Sequence, residues 1–347
     1  MKTFLKDKTV VIIGATGGLG SGIVKEVSKY TSNILLVGRN IEKMKATFTD
    51  MDYAYFDFQE KTSYLTLENQ VKEWQSDIDV VINASGTDVR KRLLEHTDED
   101  IEKTFDINII GAIKLTKLFL PLMKVGKNSS ILHIGGFADG RSAFPYYSAD
   151  VASVAGLYSF IESINRELTA EESEIKVKYF CPSPADTEAE KPFHKLWQDM
   201  NIKILPVDRV AKDIVKLVSS KKTHHIMGGF VTNFFAKLNS LSPKLADVIV
   251  MKKYALMLKN YIYGKGEKKN LILKKIGIFL VVMSFVLYIL LLGVPVLKVD
   301  LLCKAAITSS FMVISEIIWW TGVLILGKEV ASKYRKFLNP KNWKKCT

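Results

Sequence analysis

Over the first 220 residues, short runs of β-branched and aliphatic residues alternate with stretches whose apolar positions recur at helical spacing. That alternation marks βαβ units, in which parallel strands are covered on both faces by crossover helices. The runs predict strands over 9–13, 33–37, 52–56, 80–83, 130–134 and 176–180, with a seventh near 225–227. Helices are expected between them, including 20–29, 98–120 and 147–169. No internal repeat or low-complexity tract interrupts the series. The expected fold class is α/β, a doubly wound parallel sheet occupying residues 1–229.

The pattern then changes. Phe230, Phe234, Leu238, Leu241, Leu245, Val248 and Ile249 recur at helical spacing, interspersed with Lys237, Lys244, Lys252 and Lys253. Residues 230–270 are expected to form a basic amphipathic juxtamembrane segment. Helices packing an apolar face onto the α/β domain would read the same way. Two long apolar runs follow: 276–297 carries no charge, and 305–326 carries only Glu316. Each matches a bilayer core of roughly 30 Å. The linker 298–304 is too short for a domain, so 271–327 reads as a transmembrane helical hairpin. Lysines at 265, 268, 269, 274 and 275 precede the first apolar run, and a basic tail, 328–347, follows the hairpin. Both flanks are therefore expected in the cytosol. Glu316 inside the second run calls for a polar partner or an interfacial position.

The net charge of +13 gathers around these hydrophobic runs, which points to a membrane surface and away from nucleic acid. Three scattered cysteines, Cys181, Cys303 and Cys346, form neither a metal-ligand spacing nor a disulfide framework, as suits a reducing compartment. No signal peptide is read ahead of the first strand, so the first domain is expected to face the cytosol. The ending Lys344-Lys345-Cys346-Thr347 has the form of a dilysine retrieval signal, which in a eukaryote would mean the endoplasmic reticulum; a lysine-rich juxtamembrane tail is the preferred reading.

The first strand runs directly into Gly14-x3-Gly18-x-Gly20. Glycines at this spacing let the backbone approach a pyrophosphate, and the helix that follows points its N-terminus at it. Thr16 and Leu19 complete the turn. The second strand ends Val37-Gly38-Arg39-Asn40. An acid at its end would accept the ribose hydroxyls, whereas Arg39 offers a cation to a 2′-phosphate, so NADP(H) is favoured over NAD(H).

With these motifs the chain resembles the short-chain dehydrogenase/reductase family over roughly residues 5–230. Asp57 stands where the family places an Asp against the adenine. Asp79-Val-Val-Ile-Asn-Ala-Ser-Gly86 resembles D-x-x-x-N-N-A-G, keeping Asn83 and Gly86. Asn108 falls at the family's helix-bound catalytic Asn, and Tyr147-Ser-Ala149 at the start of Y-x-A-S-K. Pro182-Ser-Pro-Ala-Asp-Thr187 resembles P-G-x-x-x-T. The resemblance implies a Rossmann-like sheet, with Gly14, Thr16, Gly18, Leu19, Gly20, Arg39, Asp57, Asn83, Gly86, Pro182 and Thr187 as cofactor residues. It implies Tyr147 and Asn108 as catalytic groups.

The same resemblance shows what is missing. In the family a Lys four residues past the Tyr lowers the phenol pKa and holds the ribose, and a Ser polarises the substrate carbonyl. Here Val151 follows Tyr147 at that spacing, Asp150 follows Tyr146, and Gly135-Gly136 replaces the Ser. Tyrosine by itself titrates near 10, too high for easy proton transfer at neutrality. His133 and Arg141 are candidate replacements for the cation.

Two functions stay open. One is a membrane-anchored NADP(H)-dependent oxidoreductase acting on a lipophilic carbonyl or alcohol. The other is a catalytically inactive NADP(H)-binding sensor or scaffold of a membrane complex. An isomerase or epimerase is a third, less favoured reading. A homodimer through helices 98–120 and 147–169 is the family expectation.

Overall fold

The computed structural model describes residues 4–75, 77–125, 129–136, 140–263, 266–296 and 299–334. Seven strands form one sheet: β1 (Val10–Ile13), β2 (Ile34–Gly38), β3 (Asp52–Tyr55), β4 (Val80–Asn83), β5 (Ser130–Ile134), β6 (Lys176–Cys181) and β7 (His224–Ile226). Their order is β3-β2-β1-β4-β5-β6-β7, and every neighbouring pair is parallel. This is the Rossmann-like doubly wound arrangement, with each strand within about one residue of the position expected from the apolar runs.

Alternate residues of one strand feed opposite cores. Val10 and Ile12 pack with Ile23, Val24, Ile214 and Val218 on one face. Val11 and Ile13 pack with Leu67, Val71, Leu115 and Phe119 on the other. Because helices cover both faces, the central strands read as unbroken apolar runs and not as alternating ones. The helices of this layer are α1 (Gly18–Val27), α2 (Ile41–Thr47), α3 (Ser63–Trp74), α4 (Asp98–Phe105), α5 (Gly111–Phe119), α6 (Ser148–Ala170), α7 (His194–Asp199) and α8 (Val207–Val218). Strand order reverses between β1 and β4, which opens a crevice at the carboxyl ends of the strands.

The continuous helix expected over 98–120 is interrupted. A wide turn, Asp106–Ile110, separates α4 from α5, with the Gly111 N–H reaching back five residues to the Asp106 carbonyl. The Phe58 ring would lie 2.3 Å from a Cβ at Gly111, so only glycine fits where the turn meets the loop after β3. Such one-turn expansions re-aim side chains, and this one carries Asn108.

Helices α9 (Gly229–Leu241), α10 (Pro243–Ile249) and α11 (Leu256–Ile262) belong to the same compact unit, which runs through Ile262. Part of this segment packs onto the α/β unit, as the second reading expected. Ala236, Val250 and Leu258 are buried, and Phe235 and Tyr254 pack against Phe144. Leu241, Leu245, Val248, Met251 and Leu256 are exposed on the outer face.

The second unit contains α12 (Gly266–Leu291) and α13 (Leu301–Tyr334), packed against each other. Gly322 makes their close approach possible, since a Cβ there would sit 2.9 Å from Val281 and 3.0 Å from the Gly277 carbonyl. Phe285 meets Trp319 edge-on at 5.3 Å, and the Tyr288 hydroxyl donates to Glu316 Oε1 at 2.9 Å. Glu316 thus has the polar partner its position called for. Among the described residues one helix, Leu301–Leu324, is long and apolar enough to cross a bilayer; the apolar stretch Lys275–Leu291 is shorter. The basic tail from residue 335 onward, with the dilysine ending, lies outside the described residues.

Candidate functional site

The carboxyl ends of β1, β4, β5 and β6 converge on a two-lobed cleft of about 440 and 210 Å³. A larger basin of about 740 Å³ lies at the β7 edge among Lys221, Lys222 and Arg209, away from every candidate site residue. We place the site in the cleft, where the sheet topology and the motif residues coincide.

At its floor, Gly14 adopts φ +80°, and a Cβ at Gly20 would sit 2.1 Å from the Gly14 carbonyl oxygen. Thr187 lies over Gly18, where a Cβ would be 2.6 Å from its side chain. The turn from β1 into α1, with Thr16 part-buried in it, is therefore built without side-chain bulk at the points where a pyrophosphate would rest. Leu19, Gly86 and Pro182 line the cleft. Arg39, largely exposed, reaches within 4.0 Å of Asp57 at the ends of β2 and β3. So weak a surface pair leaves the guanidinium available to a phosphate.

Asn108 is clasped by the loop after β4. Its Oδ1 accepts the Thr87 N–H at 2.9 Å, and its Nδ2 donates to the Thr87 carbonyl at 2.9 Å and Ser153 Oγ at 3.1 Å. Asp150 Oδ1 lies 3.5 Å from the same Nδ2. Asn83 instead braces the end of β4. Its Oδ1 accepts the Ser85 N–H at 3.1 Å, and its Nδ2 faces His133 Nδ1 at 3.2 Å.

Neither candidate replacement cation reaches the cleft. His133 is fully buried on β5. Asn83 Nδ2 can only donate, so Nδ1 accepts and Nε2–H faces Thr116 Oγ1 at 2.8 Å; that hydroxyl in turn donates to the Ala112 carbonyl. Burial pushes His133 down to about 4, so it is neutral and structural. Between pH 4 and its usual 6.5 the unfolded chain binds a proton that the fold refuses. This contribution to stability is therefore lost as pH falls through that window, by up to about 3 kcal/mol. Denaturant titrations from pH 7 to 4 should show this slope, and His133→Gln should flatten it. Arg141 stacks its guanidinium on Tyr158, 5.6 Å from the ring centre. Lys178 is buried beneath α8, donating to the carbonyls of Leu217, Val218 and Ser220; burial lowers it to about 8.

The cation on the cleft wall is Arg90. Its guanidinium makes a two-pronged pair with Glu190, 3.1 Å on each prong, and Nε donates to Asp88 at 2.6 Å. It lies over Phe193 at 3.7 Å and near Trp197 at 5.3 Å, and Trp197 Nε1 donates to Glu190. Burial opposes its charge, but Asp88 and Glu190 outweigh that and hold it more firmly protonated than usual. The sequence carried one signal for it: Asp88-x-Arg90 follows the end of a central strand, where α/β sheets bind ligands.

Tyr147 stands behind this wall. It is fully buried among Leu196, Trp197, Met200 and Leu258, its ring 5.6 Å from the Arg90 guanidinium carbon. Burial pushes its phenol well above the ordinary value, more than Arg90 pulls it down. Residues 150, 154 and 157 of α6 face the cleft at helical spacing. Extrapolated back, that face would include 146 or 147. The helix begins only at Ser148, however, and Tyr146 adopts φ +70°, so neither tyrosine continues the face.

Residues 8–196 match the profile of the short chain dehydrogenase family. The human 17-beta-hydroxysteroid dehydrogenase 13 is 28% identical over 250 residues, covering 70% of this chain and 81% of the relative. A Nostoc ketoacyl reductase is 24% identical over 259 residues, 71% of this chain and 89% of the relative. A short chain dehydrogenase from Burkholderia cenocepacia, solved in complex with NADP, superposes with a TM-score of 0.60 at 18% identity, covering 71% of this chain and 98% of its own. With more than half its length matched by the family profile and the parallel sheet in place, this chain belongs to the short-chain dehydrogenase family.

Proposed function

We propose that the chain is a membrane-anchored oxidoreductase that uses NADP(H) to interconvert a lipophilic carbonyl compound and its alcohol. The observation that carries this reading is the run of fitting groups along the strand ends. Glycines without side-chain bulk line the turn after β1, where a pyrophosphate would rest; the Arg39 cation stands at the end of β2, where a ribose would lie; and a polar cleft with Asn108 and Asp150 would hold the reactive end. Gly14, Thr16, Gly18, Leu19 and Gly20 would cradle the phosphates, and Arg39 would favour a 2′-phosphate over a bare ribose. Asp57, Gly86, Pro182 and Thr187 would frame the rest of the dinucleotide, which supplies hydride when bound, while Asn83, buried against His133, would act only by bracing the end of β4. The NADP in the Burkholderia neighbour is in keeping with this.

A second chamber of about 610 Å³ adjoins the cleft across Pro182 and Ser183, walled by Phe144, Ile202, Phe235, Ile249 and Tyr254. Its apolar lining suits a lipophilic substrate, as do the names of the hydroxysteroid and ketoacyl relatives. The anchor would be α12 and α13 as a two-span hairpin with both flanks cytosolic, and the exposed apolar face of 229–262 would rest on the bilayer among its lysines. Association as a homodimer or within a membrane complex fits the same picture; nucleic acid has no part in it.

The second reading, a sensor or scaffold without turnover, is favoured by Gly136 and Val151 in place of the family's Ser and Lys. One experiment separates them. Detergent-solubilised protein would be titrated with NADPH, and oxidation of the bound cofactor followed against lipophilic ketones and aldehydes. Binding with turnover supports the oxidoreductase, and binding without turnover across the panel supports the sensor. Failure to bind NADPH refutes both.

A further inference from the structure

Asp150 is 1% exposed, yet it forms part of the cleft wall. Both its oxygens crowd the position of Gly136: a Cβ there would lie 3.1 Å from Oδ2 and 3.2 Å from Oδ1. The carboxyl thus fills the space that a side chain at 136 would enter. Its Oδ2 is buried with no hydrogen-bond partner among the described residues. A buried carboxylate oxygen left without a donor is costly, whereas a neutral carboxyl with its proton there awaits an acceptor.

The neighbouring groups fix which oxygen holds the proton. The Thr87 N–H orients the Asn108 amide, so Nδ2, a donor only, faces Asp150 Oδ1. Oδ1 can therefore only accept, and the proton belongs on Oδ2. The other titratable groups on the wall, Asp88, Glu190 and Arg90, are bound to one another, and Tyr147 lies behind them. Burial, reinforced by Asp88 and only partly offset by Arg90, raises Asp150 far above the usual carboxylate range.

We propose that Asp150 is the proton donor and acceptor of the site, taking the part that a tyrosine hydroxyl plays in the family. The inference rests on the oxidoreductase reading. In reduction, the carbonyl carbon gains a hydride from the reduced nicotinamide dinucleotide, which is left oxidised. The carbonyl π pair moves to oxygen, which takes the proton from Asp150 Oδ2. The carboxylate left behind regains a proton from solvent, and alcohol oxidation runs the same steps in reverse.

Infrared difference spectroscopy on the full chain in detergent tests this. The expected result is a protonated-carboxyl stretch at neutral pH that shifts on NADPH addition, fades in the wild type as pH is raised, and is absent from Asp150→Asn. The pH titration needs no variant, so a folding defect in Asp150→Asn leaves the test intact. With any substrate the panel yields, Asp150→Asn should lower kcat by about 10²–10⁴-fold with little change in KM, whereas Tyr147→Phe should stay within a few-fold. NADPH binding without the band, an unchanged band in Asp150→Asn, or near-wild-type turnover in that variant overturns the role of Asp150 alone. The band without NADPH binding overturns the oxidoreductase reading, and the donor role with it.

Discussion

Gly20→Ala is expected to reduce NADPH affinity at least about 100-fold, roughly 3 kcal/mol, and to lower thermal stability as well. The added methyl would sit 2.1 Å from the Gly14 carbonyl oxygen and 2.9 Å from its carbon, both backbone atoms. Neither can swing aside as a flexible side chain would, so the turn must open. Opening it pulls the start of α1 away from the line of approach of a phosphate, and the overpacking itself costs about 1–3 kcal/mol. Gly38→Ala is the matched control: its methyl would meet only Met44, at 3.5 Å. Fluorescence titration with NADPH, beside melts with and without the ligand, checks both variants. Wild-type affinity in Gly20→Ala would show that the glycine turn does not hold the pyrophosphate.

Arg90→Met should lower stability by about 1–3 kcal/mol, because it leaves the part-buried Glu190 carboxylate and its neighbour Asp88 without their cation. Glu190 would lose both prongs of its pair, Asp88 its short contact, and Phe193 and Trp197 the guanidinium stacked against them. At about 2–4 °C per kcal/mol for a domain of this size, the melting point should drop by about 5 °C. Adding Glu190→Gln should restore part of the loss, since the second change removes one stranded charge while an amide oxygen can still accept from Trp197. Thermal unfolding of the single and double variants in detergent measures the coupling between them. Additive losses would mean that the pair acts only as separate surface groups.

The two variants draw on different kinds of information. Gly20 sits in a motif whose spacing can be read along ten residues. Arg90 and Glu190 are 100 residues apart, and no local pattern joins them. The same division runs through the whole molecule. Strand positions were legible because helices cover both faces of the sheet, which forces continuous apolar runs that any window detects. The loss of the family's Lys and Ser was equally plain, since it needs only residue identities at known offsets. The apolar tail announced itself by length and lack of charge, although one run of spanning length is described where two were expected. The wide turn carrying Asn108 was not legible: 98–120 has helical periodicity throughout, and the expansion arises where Gly111 meets Phe58 from another segment.

The cleft-facing side of α6 shows most clearly where reading along the chain stops. Residue identity alone determined that Tyr147 lacks its lysine and that Asp150 follows Tyr146 by one helical turn. Which of them reaches the cleft depended on where the helix starts, and that is a matter of backbone conformation. Tyr146 at φ +70° and the first helical residue at Ser148 turn the tyrosines off the face that Asp150, Val154 and Leu157 share. The fit of the Asp150 carboxyl into the space beside Gly136 likewise needs β5 and α6 to be brought together, across the loop that joins them. Local periodicity and chemistry, being short-range, were written in the sequence. Only the packing of distant segments decided which charges meet, which side chains are sealed off, and which acid is left facing the cleft.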